Sequence, residues 1–285
     1  MCVLGTHEIQ ILDTPLNLSQ ECKKFLSTLT KEKGWVISFI YNYEGFWLSL
    51  RAVQAVIACQ QQFQAQNSDI ILVTTPKSGI VWLKALLFAL VNRKNHLIFE
   101  KDHPLLLKNP HDLILFLELD MYVDGQVLDF SSLTSPRLLE PRAPFASLPK
   151  SIQDSRTKPI YLCRNSRNTF ISMWYMSLYD PFWNHVLNYW KESIENLDKV
   201  LFLMYKEIKK QPKIYLKRLA ELLKCSFSIE EKNPGVVDEI LRMCSFGNLR
   251  NLEVNTKGKM LFGVKNKNYF HQGEVEIGRI ILLSR

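Results

Sequence analysis

The sequence predicts an α/β fold, a three-layer sandwich around a central parallel sheet, on three observations. Short apolar runs recur, DIILVTT (69–75), PIYLCR (159–164) and VLFLMY (200–205). Helical patterns separate them, as a parallel sheet covered on both faces requires. Each run ends in polar residues: Thr74 to Gly79, Arg164 and Tyr205. In open sheets of this kind ligands bind beyond the carboxyl ends of the strands, so these three points are expected to converge.

The elements follow in order. Residues 1–68 read as a helical segment with irregular joins, packed on the same single domain as the α/β part at 69–285. In NLSQECKKFLSTL, Ser19 stands as a cap before apolar positions at helical spacing, and FWLSLRAVQAVIACQQQF (46–63) reads as one apolar helix. Strand DIILVTT leads into helix VWLKALLFALVN, and NPHDLILFLELDMYV (109–123) reads as helical. Residues 136–149 read as a proline-rich connection before strand PIYLCR. A helix over RNTFISMWYMSL and another over PFWNHVLNYWKESIENL precede strand VLFLMY. Helices KIYLKRLAELLK and PGVVDEILRMCSF come next, Pro234 suiting a first turn because its missing N–H costs nothing there.

The totals narrow the function classes. A chain of 285 residues, 47% hydrophobic and 22% charged, can bury a substantial core. The net charge of +8 is compatible with nucleic acid, a membrane surface or a small anion. No long Lys/Arg block supports the first two, and KEIKK (206–210) reads as a solvated helix face. No apolar run is long enough for a membrane span, and MCVLGTHEIQ lacks the order of a signal peptide. The six cysteines are scattered without metal-like spacing, as reduced thiols of a cytoplasmic protein would be. No metal, nucleic acid or membrane partner is therefore expected.

The first strand end has the chemistry of an anion site. A loop between strand and helix points unpaired backbone N–H groups outward, and the helix dipole adds about half a positive charge. Lys77 supplies a full charge, Ser78 a hydroxyl, and Gly79 a close backbone approach. The P-loop pattern GxxxxGK[ST] is absent, because Lys77 precedes the glycine. By itself the stretch reads equally as an ordinary turn with a solvated lysine. Arg164 could fork onto a phosphate with help from Ser172, although alone they read as a surface arginine and a helix-face serine.

Several blocks in order carry a resemblance to the cytosolic sulfotransferases, closest to the plant members. TPKSGIVWLKAL resembles their PKSGTTWLKAL signature, and YLCRNSRNTFISMWYMS their YLCRNPKDTFVSxWHF segment. PFWNHVLNYWKES, KVLFLMYKE and VVDEILRMCSFGNLRNLEVN are similar as well. The resemblance implies a P-loop-like phosphosulfate loop and 3′-phosphoadenosine 5′-phosphosulfate (PAPS) as co-substrate. It also implies sulfuryl transfer to a hydroxyl of a small acceptor, be it a phenol, flavonoid, steroid or hydroxy acid. Lys77, Ser78, Gly79, Ile80, Val81 and Trp82 match the loop for the 5′-phosphosulfate. In that family the Trp stacks on adenine and the Lys neutralises the departing bridging oxygen. Arg164 and Ser172 match the 3′-phosphate ligands. Tyr205, Ser245 and Phe246 match the nucleotide pocket, although Trp82 and Phe246 also suit core packing.

Five departures bear on turnover. Ile80 and Val81 replace two threonines, removing two hydroxyl donors, each worth about 1.5–3 kcal/mol toward a charged group. In SPRLLEPRAPFASLP, Arg142 occupies the position of the base histidine, and a guanidinium cannot take a proton at neutral pH. His185 reads as structural. His271-Gln272-Gly273 stands where the family has RKG for the 3′-phosphate, and EIGRIILLSR where it has GDWK. The segment between Met176 and Ser177 is shorter than in the family, which opens the acceptor side. Two functions are thus expected: a working sulfotransferase, or an impaired or inactive relative that at most binds the nucleotide.

Overall fold

A computed structural model describes residues 20–34, 38–75, 77–122, 130, 133, 135–165, 169, 182–196, 199–232, 235–259 and 265–270. At its centre lies a five-stranded sheet in the order β5-β6-β4-β7-β8, every neighbouring pair parallel. The strands are β4 (Ile70–Thr74), β5 (Leu115–Phe116), β6 (Leu138–Glu140), β7 (Ile160–Cys163) and β8 (Leu201–Met204). All five residues of β4 are buried, because side chains alternate between two covered faces. Ile70 and Leu72 join one core cluster, with Ile160, Leu162 and Leu203. Ile71 and Val73 join another, with Tyr161 and Cys163. These are the predicted three layers.

The first cluster is filled by the helix Ile80–Asn92, in which every residue from Ile80 to Leu90 is buried. A helix apolar on all sides needs cover on all sides. Helices Pro212–Leu222 and Val236–Met243 supply it with Leu216, Leu219, Ile240 and Met243. The second cluster takes Ala55, Val56 and Cys59 from helix Leu50–Gln62 and Tyr189 from helix Phe182–Glu195. Tyr161 stacks on Tyr189 with centroids 4.6 Å apart and on Phe202 at 5.1 Å.

Four readings of the sequence need correction. The stretch 46–63 is not one helix: Phe46–Ser49 is strand β3, paired antiparallel with β2 (Phe39–Tyr43), which also pairs with β1 (Lys31–Lys33). Glu44 and Gly45 both have positive φ, 51° and 86°, the conformation of a tight hairpin turn. Ser49 then caps the helix by accepting from the Ala52 N–H at 3.2 Å. The stretch 109–123 is two short helices, Pro110–Leu113 and Leu117–Met121, with β5 between them. The connection 136–149 contains β6. The helix read over 234–246 spans Val236–Met243, and Ser245 caps a separate one, Phe246–Asn251, by accepting from the Asn248 N–H. Ser19, Pro234 and all of the stretch RNTFISMWYMSL except Thr169 lie outside the described residues.

His185 is structural, as its sequence context suggested. Its Nε2 donates to the Arg142 carbonyl at 3.1 Å, which leaves Nδ1 to accept from the Tyr161 hydroxyl at 3.0 Å. Burial pushes its pKa from 6.5 down to about 4. An unfolded chain takes up this proton below about pH 6.5, whereas the folded chain resists until about 4, so stability falls as the pH drops through that interval. The loss should approach about 3 kcal/mol. His185→Gln should lower stability at pH 7 and flatten that slope, as denaturant unfolding across a pH series would measure.

Candidate functional site

The turn between β4 and the helix Ile80–Asn92 is made by two residues in the left-handed region, Lys77 (φ 66°) and Gly79 (φ 97°). Glycine is required at the second. A Cβ there would lie 2.4 Å from Cε2 of Tyr205, the residue that follows β8. The N-cap is Gly79, which has no side chain to accept from the first turn, so among the described residues the first N–H groups of the helix are left facing the loop. The Ser78 side chain is fully buried and shares a 2.7 Å hydrogen bond with the Thr75 hydroxyl. Thr74 donates to the Leu162 carbonyl at 2.7 Å, locking the end of β4 to β7.

The three strand ends converge. Arg164, just past β7, donates from Nη1 to the Lys77 carbonyl at 3.1 Å, and its guanidinium lies 5.2 Å from the Tyr205 ring centre. Burial lowers the Arg164 pKa and raises that of Tyr205, while each opposes the other's shift. Trp82 packs edge-on to Tyr205 at 5.7 Å, with the Lys209 ammonium 5.2 Å from its ring. Lys77 Nζ donates to the Asn268 carbonyl at 3.2 Å and lies 5.7 Å from the Tyr269 ring. Phe246 reaches this region through Phe270, 6.0 Å away. Ile80 and Val81 are 6% and 8% exposed and belong to the core, so only their backbone can face the loop. Ser172, His271, Gln272 and Gly273 lie outside the described residues.

Arg142 follows β6, one strand over from the loop. Its N–H donates to both carboxylate oxygens of buried Glu118, at 3.1 and 3.0 Å, and the Ala143 N–H donates to Glu118 Oε1 at 3.1 Å. The guanidinium points elsewhere, 4.2 Å from the Phe116 ring centre. Beside it lies a polar cluster that sequence reasoning missed. Lys84, wholly buried, donates to the Ile114 carbonyl at 2.5 Å and to His111 Nδ1 at 3.0 Å, and pairs with Glu140. Burial, then Lys84, Arg142 and Lys77, hold the His111 pKa well below its ordinary value, so the imidazole is neutral. The visible signal was a lysine inside the apolar helix IVWLKALLFALVN, where a charge must have a partner.

Lys77, Arg164 and an uncapped helix start thus surround one loop at a sheet's carboxyl edge, an arrangement suited to an anion. The comparisons with known proteins agree with that geometry. The family described as "Sulfotransferase domain" matches residues 67–277. The chain is 43% identical to Cytosolic sulfotransferase 12 of Arabidopsis thaliana, with 91% of this chain and 86% of that one aligned. An Arabidopsis thaliana crystal structure of a putative steroid sulphotransferase is 42% identical. It superposes with a TM-score of 0.71 over 83% of this chain and 90% of its own. A mouse sulfotransferase complexed with PAP, 20% identical, shares the fold at a TM-score of 0.59, over 85% of this chain and 88% of its own. With nearly three quarters of its length matched by the domain and a relative 43% identical along nine tenths of it, the chain belongs to the sulfotransferase family.

Proposed function

We propose that this protein transfers a sulfuryl group from PAPS to a hydroxyl of a small acceptor. The observation that carries the reading is the convergence of Lys77 and Arg164, hydrogen-bonded through the Lys77 carbonyl, beside an uncapped helix start in a chain of this family. The mouse relative that holds PAP, the donor without its sulfuryl group, supports the choice of nucleotide, and the relative described as a "putative steroid sulphotransferase" supports a small hydroxylated acceptor. The relatives named cytosolic favour a cytoplasmic location, and among the described residues no helix is long and apolar enough to cross a membrane.

The donor supplies the sulfuryl group: its sulfur–oxygen bond to phosphate breaks as a new one forms to the acceptor oxygen, which releases its proton. In this reading the backbone N–H groups of Gly79, Ile80 and Val81 bind the 5′ phosphate, and the Ser78 hydroxyl, buried against Thr75, turns from that partner to join them. Lys77 neutralises the charge that develops on the leaving oxygen, exchanging the Asn268 carbonyl for the anion. Arg164 and Ser172 take the 3′ phosphate. Trp82, wedged between Tyr205 and Lys209, offers an aromatic surface to the base.

Arg142 favours a second reading, binding with little turnover, because a guanidinium cannot accept the acceptor's proton. His111 does not replace the missing base, since its ring is fully buried and Nδ1 is taken by Lys84. Incubation with labelled donor and a panel of phenols, flavonoids, steroids and hydroxy acids separates the readings. Lys77→Ala should cut transfer by about a hundredfold or more and leave the melting temperature unchanged. PAP binding by calorimetry without transfer by the wild type would establish the second reading. Gly79→Ala should abolish PAP binding and lower stability by about 1–3 kcal/mol, since both its φ and Tyr205 oppose a side chain.

A further inference from the structure

We propose that Lys209 is a positioning residue of the nucleotide site, holding the Trp82 ring in the orientation on which the base stacks. The inference rests on the sulfotransferase reading and extends it to a residue outside the loop and the strand ends. Lys209 lies in KEIKK, a stretch whose sequence reads as a solvated helix face, and its neighbours Lys206 and Lys210 are exposed as expected. Lys209 itself is half-buried, with its ammonium over the Trp82 ring, 5.2 Å from the centre. Among the described residues that ammonium has no hydrogen bond and no ion pair. Burial alone lowers its pKa, with no carboxylate opposing the shift. Glu207, two positions back, falls on another side of the helix. Taking an ammonium out of water is costly, and among the described residues the indole face is the partner that offsets the cost.

The helix Tyr205–Lys210, which begins where β8 ends, explains how the contact arises. Tyr205 and Lys209 stand one turn apart on one face of it. Tyr205 lies against Gly79 and meets Trp82 edge-on, the rings 5.7 Å apart and their planes at 79°. Trp82 belongs to the first turn of the helix Ile80–Asn92, directly after the loop that carries Lys77. One turn of the first helix thus grips the first turn of the second. Tyr205 limits how far the indole can swing along its edge, and Lys209 limits how far its face can tilt. A base arriving at the ring meets a surface already oriented, so little freedom is lost on stacking. Its arrival also excludes water from the ring, and a cation over an aromatic face is held more strongly once desolvated. The Lys209 charge therefore contributes to nucleotide affinity through Trp82, without touching the nucleotide.

Calorimetry with PAP on the full chain tests this with Lys209→Met, which keeps an apolar stem and removes the charge. PAP affinity should fall about threefold to tenfold while the melting temperature changes little. Lys209→Arg should restore most of the loss, since a guanidinium also stacks on an indole. Lys206→Met removes an exposed charge from the same helix and should bind PAP as the wild type does. In a Trp82→Phe background the loss caused by Lys209→Met should shrink, because a benzene ring is the weaker partner for a cation. The proposal is overturned if Lys209→Met binds PAP like the wild type, if Lys206→Met weakens binding equally, or if the loss is undiminished in the Trp82→Phe background. A wild type that does not bind PAP would sink the sulfotransferase reading and this inference with it, whereas PAP binding indifferent to Lys209 would sink the inference alone.

Discussion

The ammonium of Lys84 sits where no water reaches it, and much of the architecture is arranged around that fact. It projects from the central helix Ile80–Asn92 and bonds the Ile114 carbonyl, the His111 ring and the Glu140 carboxylate. Those partners belong to the short helix Pro110–Leu113, to its junction with β5, and to β6. One cation thus fastens the main core helix to the two strands at one edge of the sheet. A buried ion pair adds little net stability, since taking both charges out of water costs nearly what their attraction returns. Its value is specificity: any shift of register would strand a charge in an apolar interior. Burial pushes the Lys84 pKa down and the Glu140 pKa up, and each partner opposes the other's shift.

How far this could be read from the chain depended on how local the determining physics is. β4, β7 and β8 were legible because each is a continuous apolar run with both faces covered. β5 and β6, at two and three residues, are too short to impose a pattern and exist through their pairing with longer neighbours. The strand Phe46–Ser49 was lost inside a helical reading because its apolar residues run straight into those of the helix, and only the Ser49 cap divides them. That Lys77, Gly79 and Arg164 would meet was legible from their place at strand ends. Tyr269, Asn268 and His111 were not, because what brings them to Lys77 is tertiary packing between segments far apart in sequence.

The replacement of two hydroxyl side chains by Ile80 and Val81 has a structural logic of its own. Both side chains are buried in the main cluster, so the helix start is anchored by apolar packing. The backbone at Arg142 is likewise anchored, by buried Glu118, which accepts its N–H and that of Ala143.

The hydrogen bond between Thr75 and Ser78 closes the loop on itself. A loop already ordered in this way loses little conformational freedom when a ligand arrives, so less of the interaction energy is consumed in freezing it. In the sulfotransferase reading, association then depends on diffusion and charge rather than on a slow rearrangement, and nucleotides that share the same phosphate end should enter at similar rates. Discrimination among them falls to how quickly each one leaves.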